Sequence, residues 1–233
     1  MAVGEAWAST LQVGRRTFER VLVRTPWLES GTDLAEVLET YVKPHARPGD
    51  LLIVSEKALV HATGRGVPAA TVQAGPLAHA LASRVQPTKG SRGLSIPEKM
   101  QFVIEQVGRL RVVAAALAGA ATRPIGIRGA FYVVAGRVAR DMDGMRPPYE
   151  DLLLPPLSPS EGRIVAQQLL DHVGMPVAIV DINDRGGSVR AVAGSAIGPR
   201  LLRRALRDNP LGQRGQSTPV GIVRPLSSAG VPA

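Results

Sequence analysis

Asp208-Asn209-Pro210-Leu211-Gly212-Gln213-Arg214-Gly215-Gln216-Ser217-Thr218-Pro219 runs straight into the apolar stretch Val220-Gly221-Ile222-Val223-Arg224. Just upstream, residues 199–207 combine apolar Leu201, Leu202, Ala205 and Leu206 with basic Arg200, Arg203, Arg204 and Arg207, so the order is helix, glycine loop, strand. Helical and strand patterns alternate in this way along the chain, which predicts an α/β class. The loop reads in two ways, as an ordinary surface connection rich in Gly and Gln or as a cradle for an anion. In the second, glycines let main-chain N–H groups approach a phosphate, while Gln213, Arg214, Gln216, Ser217 and Thr218 add donors with no carboxylate among them. It is not a Walker loop, having no GxxxxGK[ST] pattern.

Working outward, Leu51-Leu52-Ile53-Val54 is a continuous apolar run of the kind found in a strand buried on both faces. It stops at Ser55-Glu56-Lys57, which puts polar side chains at the carboxyl end of the strand, where ligands of open α/β sheets sit. Pro176-Val177-Ala178-Ile179-Val180 is a second such run, and it delivers Asp181-Ile182-Asn183-Asp184-Arg185-Gly186-Gly187 at its end. An acid where a buried strand meets a glycine turn is well placed to hold magnesium, because the strand fixes its direction. Residues 18–25 predict another strand by their β-branched content, closing at Thr25-Pro26-Trp27-Leu28. Trp27 there either packs a core edge or stacks a base.

Helices are expected over residues 33–39, capped by Thr32 or Asp33, over 76–85, and over 162–173 behind the opening Ser158-Pro159-Ser160-Glu161. Residues 96–117 read as one long helix with Met100, Val103, Ile104, Val107, Leu110 and Val113 or Ala114 on its buried stripe. Residues 127–139 read as a strand reaching a glycine. Asp141 and Asp143 follow at a spacing of two before Gly144, either a plain turn or part of a hard cation's oxygen shell. The basic segment 86–95 is a solvated linker or a flap over an anionic substrate, and His61, in an apolar segment, a structural residue or a ligand.

Composition sets the outer limits. At 233 residues and 45% apolar the chain can bury one good domain or two small ones. It has no cysteine, which removes disulfides, thiolate metal sites and a thiol nucleophile. Residues 1–17 lack the order of a secretory signal, and the apolar run 112–121 is far too short for a bilayer, so a soluble cytoplasmic protein is expected. The net charge of +9 attracts anions, but aromatics make up only 3% of the chain, so stacking platforms for single strands are scarce. A phosphate-bearing small ligand is favoured over nucleic acid.

Several stretches, in order, resemble the coenzyme F420-0:L-glutamate ligase family, the gamma-glutamyl ligases of the deazaflavin coenzyme F420. They are Thr25-Pro26-Trp27-Leu28-Glu29-Ser30-Gly31-Thr32-Asp33-Leu34; residues 51–57 with the exit Gly64-Arg65; Ala135-Gly136; Leu152-Leu153-Leu154-Pro155-Pro156; Asp181-Ile182-Asn183; Ala196-Ile197-Gly198; and the opening loop through Thr218-Pro219. The resemblance implies an α/β fold with a mixed sheet and flanking helices, assembled as an intertwined homodimer. Its domain would span residues 18–225, between an extension over 1–17 and a frayed tail over 226–233. It implies GTP as cosubstrate, Mg or Mn, and the joining of glutamate's amine to a carboxylate of the coenzyme precursor through an acyl phosphate.

By position, the nucleotide would fall to Thr25, Pro26, Trp27, Leu28, Glu56, Lys57 and the loop Leu211, Gly212, Gln213, Arg214, Gly215, Gln216, Ser217 and Thr218. Metal would fall to Asp181, Gln213 and the main-chain oxygen of Ile182, where the family has Thr. Departures accompany the matches. A family metal-binding Asp falls on Val138, a nucleotide-binding Asn on Asp141, a Lys on His61 and a Glu on Thr63. Asp141 and Asp143 could substitute for the lost carboxylate by a shift of their loop. Otherwise the chain is a divergent homologue with an altered substrate, or one that binds a nucleotide or anionic metabolite without catalysis.

Overall fold

The computed structural model describes residues 2–87, 92–146, 149–183, 186–212 and 217–226, leaving aside the side chains of residues 146 and 186. In chain order the elements are β1 (Ala6–Val13), β2 (Arg16–Val23), α1 (Leu34–Val37), β3 (Leu51–Ser55), α2 (Glu56–Ala62), β4 (Val67–Pro68), α3 (Pro76–Ala82), α4 (Pro97–Val107), α5 (Arg109–Thr122), α6 (Ala130–Ala135), α7 (Arg137–Asp141), β5 (Asp143–Arg146), β6 (Tyr149–Leu154), α8 (Pro159–Val173), β7 (Val177–Asn183), β8 (Gly186–Ala193), α9 (Pro199–Ala205) and β9 (Val220–Leu226). They form two units, one of them Arg65–Pro156 and the other made by the chain before and after it.

The split unit holds a six-stranded sheet in the order β1-β2-β9-β3-β7-β8. Only β3 and β7 run parallel; every other neighbour is antiparallel, so the sheet is mixed, as the family resemblance implies. Both faces of β3 are covered, which is why its apolar run is unbroken. Leu51 and Ile53 join Ala178, Val180 and α9 residues Leu202 and Ala205 in one core. On the other face Ile179 pairs with Ala191, against which Gly162 of α8 packs. Each fully buried Leu, Ile or Val stabilises such a sheet by roughly 1.5–3 kcal/mol. Residues 6–13, expected ahead of the domain, pair along their whole length with β2 as the edge strand β1.

Local signals account for the helix ends. Asp33 caps α1 by accepting from the Ala35 N–H at 2.8 Å. Ser158 and Glu161 close a reciprocal box on α8: the Ser158 hydroxyl accepts from the Glu161 N–H at 3.1 Å, and the Glu161 carboxylate accepts from the Ser158 N–H at 2.6 Å. Arg224 of β9 ties the sheet to the turn ahead of β3, donating two bonds to the wholly buried Asp50 at 2.9 and 2.8 Å and a further one to Glu19.

The unit Arg65–Pro156 contains a three-stranded sheet, β4-β6-β5, and a helical core in which Met100, Val103, Ile104, Val112, Ala115 and Leu153 are buried. Two expectations are corrected here. The single helix over 96–117 is broken at Gly108, whose φ of 93° lies outside any right-handed helix, and α5 starts afresh with Val112 and Ala115 inward. Leu110 consequently leaves the buried stripe and is 88% exposed. Residues 127–139, read as a strand for their Phe, Tyr and Val content, form α6 and α7 instead. α6 packs on α5 where Gly119 leaves room for Phe131, so tertiary contact overrides β propensity. Among the described residues no helix is long and apolar enough to cross a membrane.

Candidate functional site

Strand pairing brings several chain segments to one end of the six-stranded sheet. Val23 at the end of β2 pairs with Val220 at the start of β9, and Val220 pairs with Val54, while Ser55 pairs with Val180. The segments leaving β2, β3 and β7 and the one entering β9 therefore meet there. This is the carboxyl end of the parallel pair, where an α/β sheet offers a ligand-sized crevice.

Two of the segments expected to line a nucleotide are bonded to each other. The Thr25 N–H donates to the Ser217 carbonyl at 3.0 Å, and the Ser217 hydroxyl donates back to the Thr25 carbonyl at 3.0 Å. The Ser55 N–H donates to the Pro219 carbonyl at 2.8 Å, fastening the same loop to β3. Thr218 is buried, and its hydroxyl donates to the Leu211 carbonyl at 2.6 Å. The hydroxyls of Ser217 and Thr218 thus hold the loop's shape rather than standing free as donors. Ser217 adopts φ of 53°, a left-handed conformation that costs a non-glycine residue energy and concentrates at functional sites. Gly212 takes φ of 70° and donates its N–H to the Asn209 carbonyl. Leu28 is buried, whereas Trp27 is 48% exposed. Gln213, Arg214, Gly215 and Gln216 lie outside the described residues.

Beside this loop lies a buried ionic cluster. Glu56, the first residue of α2, is 3% exposed; it accepts from the Leu157 N–H at 2.9 Å and from the Arg190 Nε–H at 2.8 Å. The other arm of the guanidinium donates through Nη2 to Asp181 Oδ2 at 2.9 Å. Arg190 thus holds both acids expected at the site. Loss of water raises the Glu56 carboxyl above its ordinary value, opposed by Arg190 and reinforced by the like charge of Asp181. Its carboxylate is buried and turned to Arg190 and Leu157, which makes it an anchor of the site.

Sequence reasoning did not single out Arg190, whose position comes from a bulge. Ile179 pairs with Ala191 and Val180 with Val189, so Arg190 is the extra residue in β8. A bulge re-aims the side chain it carries, here onto the face of Asp181 and α8. The packing shows the bulge at work: Val189 and Val192 both face the opposite core although they are three residues apart, which a regular strand cannot do.

The remaining predicted residues fall as follows. Lys57 is half-buried on α2, and His61 stands in that helix's last turn. Ile182 turns its side chain to the core on the α9 face. Asp141 and Asp143 belong to the unit Arg65–Pro156, where Asp141 accepts from Arg140 Nε at 2.9 Å and Asp143 accepts from the Gly144 N–H at 2.9 Å. Val138 packs against that unit's apolar core. Among the described residues no group of three or more His, Cys, Asp or Glu could hold a metal. A concavity of about 410 Å³ in the same unit is lined by Gln73, Gln101, Glu105 and Arg109, among others, and includes none of the predicted site residues.

A family model described as F420-0:Gamma-glutamyl ligase matches residues 22–210, well over half of the chain. The matched span contains Thr25 to Leu28, Glu56, Lys57, His61, Asp141, Asp143, Asp181 and Ile182 and stops just ahead of Leu211. No curated protein matches the chain.

Proposed function

The chain belongs to the F420-0:gamma-glutamyl ligase family, and from that premise we propose that it joins L-glutamate to the precursor of the deazaflavin coenzyme F420 at the expense of GTP. A carboxylate oxygen of the precursor attacks the γ-phosphorus, the bond to the β–γ bridging oxygen breaks, and GDP leaves. The resulting acyl phosphate is attacked at its carbonyl carbon by the glutamate amine, phosphate departs, and the amine proton passes to solvent, leaving an amide. Little covalent chemistry is asked of the protein in such a transfer; it must position reactants and balance charge.

The observation that carries this reading is the meeting of Thr25 and Ser217 beside Ser55 and Glu56 at one end of the sheet. These are segments that the family resemblance assigns to the nucleotide. Within it, main-chain groups of Thr25 to Leu28 and of residues 211–218 would bind the nucleotide, and Trp27 offers an open ring for its base. A homodimer is part of the same proposal.

The resemblance also implies Mg or Mn, which would neutralise phosphate charge. The described residues do not fit a resident ion. Asp181 is committed to Arg190, Ile182 turns its side chain to the core and would offer a main-chain oxygen alone, and the family's other carboxylate position is the apolar Val138. No step above depends on such an ion.

Those same facts favour a second reading, a homologue that binds a nucleotide or anionic metabolite without ligating anything. Incubation with precursor, glutamate and GTP, followed by mass spectrometry, separates the two. Ligation adds one glutamate residue to the precursor and releases GDP; an unchanged precursor, with GTP binding still measurable by calorimetry, establishes the second.

A further inference from the structure

We infer that in the nucleotide-free protein Arg190 holds the cation position at Asp181, so that a divalent ion reaches that carboxylate only by displacing the guanidinium. The inference takes from the proposed function only the identity of Asp181 as the acid a metal would seek, and it stands or falls without any ligase reaction.

Three features of the molecule support it. Arg190 makes a bond of 2.8 Å to Glu56 and one of 2.9 Å to Asp181, and its side chain is nearly as buried as that of Glu56. Charge-assisted bonds made away from water are the strong ones, and a rigid guanidinium fork loses little freedom in making them. Glu56 is itself fixed by the Leu157 N–H, so the fork is anchored at one end and cannot swing away from Asp181 without abandoning Glu56 as well. The bulge at Ile179 and Val180 sets Arg190 on this face as a matter of backbone geometry. The guanidinium bridges two acids and offsets their charge. Without it the carboxylate of Asp181 would lose that counter-charge and keep oxygens suited to a hard cation.

The test is a Mn²⁺ titration of the full-length protein without nucleotide, in which the paramagnetic resonance signal of free Mn²⁺ reports binding. The parent protein is compared with Asp181→Asn, Arg190→Gln and the double variant. The parent and Asp181→Asn should bind Mn²⁺ alike, within about twofold, because the carboxylate is already engaged. Folded Arg190→Gln, checked by circular dichroism, should bind at least ~tenfold more tightly than the parent, and the double variant should lose that gain. Weakening of the parent's Mn²⁺ binding by more than about twofold in Asp181→Asn would overturn the inference, as would a smaller gain in folded Arg190→Gln. Should Arg190→Gln fail to fold, the comparison of the parent with Asp181→Asn decides alone.

Discussion

Glu56 shows how one side chain can carry a structural duty at a site where chemistry is expected. Its carboxyl has an ordinary value of 4.5, and burial raises it in the folded protein. The folded state therefore keeps this proton at pH values where the unfolded chain has lost it. The stabilisation this brings is fully present below the unfolded value and is lost as pH rises through the folded one. Glu56→Gln removes the titration while leaving an acceptor for the Leu157 N–H. The melting temperature of the variant should thus gain on that of the parent as pH goes from about 4 to about 7, followed by circular dichroism. Curves that stay parallel would contradict the raised carboxyl.

At the scale of elements, the buried ion pair between β9 and the turn before β3 is a strong constraint on register. Arg224→Met would leave the carboxylate of Asp50, with no exposed surface, without its guanidinium, though still accepting from the Arg47 N–H. A loss of about 3–5 kcal/mol in urea unfolding is expected, against less than about 1 kcal/mol for an exposed pair. Ser158→Ala removes one half of the box that opens α8 and should cost about 1 kcal/mol by the same measurement.

The elements were legible in the sequence where burial leaves a simple pattern. β3 and β7 announced themselves because strands covered on both faces need unbroken apolar runs, and α8 because its cap is written in four consecutive residues. β8 was not legible as a partner of Asp181, since the extra residue Arg190 breaks its alternation. α6 was obscured by Phe131, Tyr132, Val133 and Val134, whose strand preference yields where Phe131 packs on Gly119. For the site, the coming together of Thr25, Ser55 and Pro219 followed from strand ends that the sequence could locate. The capture of Glu56 by Arg190 did not, because no local pattern encodes a contact across 134 residues of chain, and the bulge in β8 hid the nearer contact of Arg190 with Asp181.

For the whole molecule, the break at Gly108 has a consequence for assembly. It turns Leu110, Val113 and Leu117 of α5 outward, with Leu117 66% exposed. With Ala114 and Ala121, Leu110 and Leu117 repeat at alternating steps of four and three, the spacing of a seam that pairs with a copy of itself. The proposed homodimer would cover this stripe in two copies at once. Leu117→Glu should convert a dimer into a monomer in sedimentation velocity; a monomeric parent, or a dimer indifferent to the change, would rule the stripe out.

The nucleotide reading of the sheet end can be tested by hydrogen exchange with mass spectrometry, with and without saturating GTP. Slowed exchange is predicted in peptides covering Thr25 to Leu28, Ser55 to Lys57 and the segment that enters β9, which are separate in sequence and adjacent at the end of the sheet. Protection confined to Arg65–Pro156, or no protection at these three segments while GTP binds, would contradict it.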